Sequence, residues 1–263
     1  MDNFVLQVKD LNISYNLKGE FISALENINF KLKKGEILGV VGESGSGKTT
    51  LALSILNLLP PDAKIEGQII FEGKNIFSLY QKQLNSIRAN KIGIIFQEPA
   101  WSFDPFFTIS YQFHQLLKLK KNLKNKKERE YIIFDTLKKV KISNIDRILS
   151  SYPHQLSGGQ LQRISIAMAI SLKPTLLIAD EPTSSLDVTA ESQIIHLLKE
   201  LQDTVNLTII FITHNLELAR LLSDKILVLY KAKMVELKDT KTIFEFPENP
   251  YTKSLIEALE ILQ

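Results

Sequence analysis

The chain has 263 residues, 32 basic against 29 acidic side chains for a net charge of +3, and 44% hydrophobic residues, a size and balance that suit one large or two modest globular domains. So small a charge excess gives no argument for nucleic acid as a partner. The absence of cysteine excludes disulfides, thiolate zinc sites and cysteine-ligated iron–sulfur clusters, and fits a reducing compartment.

Residues 1–5 carry neither a basic region nor an apolar core, which argues against a secretory signal. Every apolar run is interrupted by charge before the roughly 18 residues a membrane helix needs. The expectation is a soluble chain; if it works at a membrane, another chain crosses it. Strands are predicted over residues 4–8, 11–15, 25–32 and 37–41, with turns at Lys18-Gly19 and Lys34-Gly35. A helix over 50–58 stops at Pro60-Pro61, and a strand over 67–71 turns at Glu72-Gly73. The apolar run 92–96 has the composition of a strand buried on both faces.

From Trp101 to Asn144 the pattern turns helical and includes a basic stretch, 118–127. A solvated segment between helices is the favoured reading of that stretch, ahead of a lipid or nucleic-acid patch. Strands return at 176–179 and 207–212, separated by a helix over 190–201. Strands alternating with helices predict an α/β core with a parallel sheet, into which the helical block 98–165 is inserted.

Three segments carry chemistry. The first is Gly42-Glu43-Ser44-Gly45-Ser46-Gly47-Lys48-Thr49, a G-x-x-x-x-G-K-T pattern between a predicted strand and the helix that Thr50 opens. Its glycines let successive backbone N–H groups face one anion, and the helix start adds positive potential. Lys48 is expected to reach the β- and γ-phosphates, and Thr49 to offer its hydroxyl to Mg²⁺.

The second is the run Leu176-Leu177-Ile178-Ala179 closing on Asp180-Glu181. Two carboxylates ending a buried strand call for a cation or a hydrogen-bond network. Asp180 is expected on the Mg²⁺ side and Glu181 beside the attacking water, on a strand next to the cradle strand. The third is Ser157-Gly158-Gly159-Gln160, opening a helix that ends near Lys173-Pro174. Its S-x-x-Q spacing is that of a capping box, so a capped helix start is one reading. Two glycines in a first helical turn weaken the helix while leaving room for an anion, which favours a second phosphate site.

With these residues in view, the chain resembles the ATP-binding subunit of an ABC transporter over nearly its whole length, Leu156–Gln160 matching that family's signature. The resemblance implies a P-loop NTPase fold: a nucleotide-binding α/β core (1–97 and 166–236) with a mostly parallel sheet and an N-terminal antiparallel β subdomain, a helical subdomain (98–165) and a tail (237–263). It implies ATP and Mg²⁺ as cofactors. Gln97 corresponds to the Q-loop glutamine, expected near the metal and at the reaction centre. Ser184-Ser185-Leu186-Asp187 corresponds to the D-loop, with Asp187 at the nucleotide, and His214 to the switch histidine against the γ-phosphate. Tyr15 stands where an aromatic stacks on adenine; taken alone, Tyr15 reads more often as a sheet aromatic and His214 as a satisfied strand-end histidine.

The family further implies a second ATP-binding subunit, identical or related, whose signature loop closes over the nucleotide. It also implies two transmembrane permease subunits, an indirect substrate-binding protein, no nucleic acid, and a peripheral place on the cytoplasmic face of the membrane. The apolar residues Trp101, Phe103, Phe106 and Phe107 are candidates either for docking a permease or for the core of the helical block.

Gln97-Glu98-Pro99, Asp104-Pro105, Tyr152 to Gln160, Ile166-Ala167-Met168-Ala169 and Asn249-Pro250-Tyr251-Thr252 are similar to the dipeptide/oligopeptide/nickel importer group. Leu161 replaces a usual arginine, Asn215 a usual aspartate, and Lys231-Ala232-Lys233 lacks a usual glycine, which puts a local turn in doubt. The cysteine-bearing extension of some peptide-importing relatives is not seen after the Pro-Tyr-Thr segment. Peptide or nickel-chelate import is the leading function; an exporter ATPase or a non-transport ABC ATPase is the alternative.

Overall fold

A computed structural model describes residues 4–118 and 123–261; positions 119–122 of the predicted basic segment lie outside the described residues. The elements in chain order are β1 (Phe4–Leu17), β2 (Glu20–Lys33), β3 (Ile37–Val41), α1 (Lys48–Ile55), β4 (Lys64–Phe71), β5 (Lys74–Asn75), α2 (Gln81–Asn90), β6 (Ile92–Ile95), α3 (Ile109–Lys118) and α4 (Lys126–Lys139). They continue with α5 (Ile145–Ser150), α6 (Gly158–Ser171), β7 (Leu176–Asp180), α7 (Val188–Val205), β8 (Thr208–Thr213), α8 (Leu216–Leu222), β9 (Lys225–Tyr230), β10 (Lys233–Asp239), α9 (Thr240–Glu245) and α10 (Pro250–Ile261). Two compact units form, one from 1–84 with 199–263 and the other from 85–198.

In the first unit the strand order is β5-β4-β1-β2-β10-β9-β3-β8. β1 pairs antiparallel with β2 and β4, the expected N-terminal antiparallel region. β3 runs parallel to β8 on one side and to β9 on the other. Every residue of β3 and β8 is buried, as their unbroken apolar runs require of strands covered on both faces. The expectation that the carboxylate strand lies directly beside β3 is therefore not met, because β8 and β9 take both its edges. Val41, Ala219, Ile226, Val228 and Ile243 form a core beneath this region.

The two strands expected over 4–8 and 11–15 are one strand. Its register shifts between Val8 and Leu11, where Asp10 has φ 47°. That is a bulge rather than a break, and side chains stand in for part of the ladder: the Asp10 N–H donates to Asn29 Oδ1 and the Asn27 N–H to Asn12 Oδ1, each at 2.9 Å. The doubted turn at Lys231-Ala232 is made without glycine, both residues taking positive φ (46° and 67°), the combination a tight two-residue hairpin demands.

In the second unit β6 pairs parallel with β7, Ile92 opposite Leu176 through Ile95 opposite Ala179. The helical block is broken where the sequence suggested continuity. Gln112 accepts the Asp104 N–H and donates to the carbonyls of Asp104 and Phe107, tying down the turn that precedes α3. α3 buries Ile109, Phe113 and Leu117 at helical spacing. Of the four apolar residues after Gln97, Phe103 is 6% exposed and belongs to the core, whereas Trp101, Phe106 and Phe107 are 89%, 84% and 41% exposed. Leu161, at the family's arginine position, is also buried.

Candidate active site

The predicted site residues fall into two groups, one in each compact unit. In the first, the buried strand β3 delivers the chain to Gly42, and α1 begins at Lys48. The turn depends on its glycines. Gly47 caps α1 with φ 106°, and a Cβ there would lie 2.5 Å from the Ala24 carbonyl oxygen, so no other residue fits without moving β2. α1 has no side-chain cap and no acidic residue in its first turn. Its N-terminal N–H groups and dipole are thus directed at whatever sits in the loop.

The Lys48 ammonium is buried within this loop and donates to the carbonyls of Gly42 and Glu43 at 2.8 and 2.9 Å. Ser46 donates its N–H to the same Glu43 carbonyl at 3.2 Å. Its hydroxyl is buried and, among the described residues, unpartnered, a costly state for an apolar pocket and a natural one for a site built around an anion. Ser44, Gly45 and Thr49 are exposed along the loop, and Thr50 is half-buried. The Tyr15 hydroxyl donates to Thr50 Oγ1 at 3.2 Å, which sets the aromatic at the side of the phosphate loop. His214 lies exposed just past the end of β8. Asn215 caps α8 by accepting from the N–H groups of Glu217 and Leu218, so the departure from aspartate keeps the local cap.

In the second unit β7 runs through four fully buried apolar residues to Asp180, itself only 8% exposed. Glu181 follows with φ 46°, a left-handed conformation uncommon for a side chain of this size. Its carbonyl accepts from the N–H and the hydroxyl of Ser184 at 3.3 and 3.1 Å, holding that backbone in place. Its carboxylate accepts a hydrogen bond of 3.2 Å from the Gln97 amide. This pairing and the positive φ were invisible in the sequence; Pro182 after a carboxylate was the only hint of an enforced turn. Backbone strain of this kind collects at working residues.

Ser157 and Gln160 make the predicted capping box: Ser157 Oγ accepts the Gln160 N–H, and Gln160 Oε1 accepts the Ser157 N–H. The capping box that the structural reading expected is therefore present, and it engages the Ser157 and Gln160 N–H groups. The glycines remain to be explained. Neither has positive φ, and a Cβ on Gly158 or Gly159 would meet its nearest neighbour at 3.5 or 3.6 Å, ordinary contact distance. Among the described residues nothing requires glycine at either place, so their N–H groups fit an approach from outside the chain. Asp187 accepts the Ala190 N–H at 2.8 Å and opens α7, a structural duty beside the nucleotide role the resemblance implied.

A model of the ABC transporter family matches residues 25–184. The chain belongs to that family. Over 97% of its length the chain is 39% identical to the oligopeptide transport ATP-binding protein OppD of Escherichia coli, spanning 75% of that protein. It is 40% identical to the peptidoglycan transport ATP-binding protein YejF of Agrobacterium fabrum, of which it spans 47%. Among solved structures, the bacterial ABC transporter cassette MJ0796, a dimer bound to ADP and Pi, is 30% identical and superposes with a TM-score of 0.79 over 89% of this chain and 98% of that one. CbiO1 of Clostridium perfringens, part of the transporter complex cbiONQ, gives 0.79 over 98% of this chain and 95% of its own, also at 30% identity. The expected α/β cassette fold is thus established, and with it the ATP-binding class of subunit. Among the described residues no helix is long and apolar enough to cross a membrane.

Proposed function

We propose that the chain is the ATP-hydrolysing subunit of an importer for peptides, working as one of a pair of such subunits against two permease chains on the cytoplasmic face of a membrane, with a substrate-binding protein acting indirectly. Peptides are preferred to nickel chelates because the relatives reported above are named for oligopeptide and peptidoglycan transport. The proposed division of the chain is a nucleotide-binding core over 1–97 and 166–236, the helical subdomain 98–165 and the tail 237–263.

In this reading the adenine stacks on Tyr15, and the phosphates are received by residues Gly42 to Thr50, with the Lys48 ammonium turning from the loop carbonyls to phosphate oxygens. The oxygen donors Thr49, Asp180 and Gln97 suit a hard cation such as Mg²⁺. Bound there, Mg²⁺ would neutralise charge on the transferred phosphoryl group. Glu181 orients the attacking water and His214 contacts the γ-phosphate. Gln97, bonded to Glu181 as it stands, connects the state of the site to the helical block that follows it. Ser157, Gly158, Gly159 and Gln160, with Asp187 nearby, meet the nucleotide held by the other subunit and supply donors to the transition state.

The observation that carries this reading is the pair of glycines at the start of α6, for which the packing among the described residues gives no reason. Trp101 and Phe106 are the exposed apolar groups offered to a permease. Affinity purification of the tagged chain from detergent-solubilised membranes tests the assignment. Recovery of two permease subunits and an ATP-binding partner is expected, and recovery of ribosomes in their place would overturn it.

A further inference from the structure

We infer that the hydroxyl of Tyr251 is a positioning group for the phosphate loop, through which the Asn249-Pro250-Tyr251-Thr252 segment sets nucleotide affinity. This inference rests on the reading of residues 42–49 as the nucleotide cradle. The Gly42–Glu43 peptide is the node of that loop: its carbonyl, on Gly42, accepts from Lys48 Nζ at 2.8 Å. Its N–H, on Glu43 at the other end of the same peptide plane, donates to Tyr251 Oη at 3.3 Å, across 208 residues of sequence. A peptide plane is rigid, so fixing its N–H fixes the direction of its carbonyl, and with it the ammonium that is to meet the phosphates.

Tyr251 is itself held from several sides. Its ring stacks on Tyr230, at the end of β9, with centroids 4.0 Å apart. Its N–H donates to Asn249 Oδ1 at 2.9 Å, the turn that starts α10. The Glu236 carboxylate accepts the N–H groups of Glu248 and Asn249 at 2.9 and 3.1 Å and pairs with Lys238 at 3.0 Å. The segment is thus bolted to β10 while its tyrosine reaches the loop. Burial pushes the Tyr251 hydroxyl above its usual value, so it remains a neutral hydroxyl that accepts the Glu43 N–H and does not place a negative charge beside bound phosphate.

The test is Tyr251→Phe in the full chain, which keeps the ring stack and removes one oxygen. ATP binding is measured by fluorescence titration with a labelled nucleotide, and melting is followed with and without ATP. The expected result is an ATP affinity about three- to tenfold weaker, the worth of one hydrogen bond. Nucleotide-free melting should be unchanged, the ATP-induced rise in Tm smaller, and the effect on turnover should fall on KM rather than kcat. Wild-type affinity in the variant would overturn the inference, as would a loss matched by lower nucleotide-free melting, which would mark Tyr251 as packing alone. Failure of the wild-type chain to bind ATP would instead overturn the cradle reading beneath it.

Discussion

Replacing Gly158 by alanine should move stability and activity in opposite directions. Among the described residues a Cβ at that position meets Leu186 Cδ2 alone, at 3.5 Å, and the backbone has no positive φ to strain. Alanine is better than glycine by up to about 1 kcal/mol inside a helix, and less in a first turn. The nucleotide-free variant should therefore melt at the wild-type temperature or up to roughly 2–4 °C above it. On the proposed reading, however, the new methyl stands where a phosphate oxygen of the partner's nucleotide would approach the Gly158 and Gly159 N–H groups. Loss of one preorganised donor to a developing charge costs about 10²- to 10³-fold in rate. Calorimetry and a phosphate-release assay on the assembled transporter measure the two quantities. A variant that melts lower would show that glycine is needed by the fold, and wild-type turnover would show that no anion comes to this helix start. Either result would refute the argument from the glycines.

Two further contrasts follow from burial and charge. Phe103→Ala should destabilise the chain by about 3–5 kcal/mol, as for a buried aromatic. Trp101→Ala, at a fully solvated position, should leave melting and basal ATPase intact while uncoupling hydrolysis from transport in reconstituted vesicles; similar melting losses in both would return Trp101 to the core. For Glu236, burial raises the pKa, but the N–H groups of Glu248 and Asn249 and the Lys238 ammonium outweigh it and hold the carboxyl below its ordinary 4.5. A depressed acid stabilises the fold above its unfolded pKa and loses that contribution as pH falls through its folded value. The stability difference between wild type and Glu236→Gln should accordingly be constant above about pH 5 and shrink below 4.5, as denaturant titrations at several pH values would show. A difference that grew on acidification would contradict the assignment.

The phosphate loop was legible in the sequence because its residues are fixed by local backbone geometry: Gly47 must be glycine in any strand–loop–helix of this shape, and β3 lies over the residues its apolar run predicted. The capping box at Ser157 and Gln160 was legible for the same reason. The neighbours of β3 were not, since β7 and β8 are both buried apolar strands and their order is decided by non-local pairing that no short window contains. Nor was the separation of Phe103 from Trp101, because two apolar residues two positions apart in an irregular turn carry no period from which to assign faces. The bond from Gln97 to Glu181 spans 84 residues and that from Glu43 to Tyr251 spans 208. Hydrogen bonds across such separations exist only once the chain has folded.

The central claim, that nucleotide is enclosed between two subunits of this kind, is tested most directly by the mass in solution of the Glu181→Gln variant. Light scattering should be recorded without nucleotide, with ATP, and with ATP in the presence of its partner ATP-binding chain. The account predicts a chain that binds ATP without hydrolysing it and doubles its mass in at least one of the two ATP conditions, returning to a monomer when ATP is withdrawn. An ATP-loaded variant that stays monomeric both alone and beside its partner would contradict it.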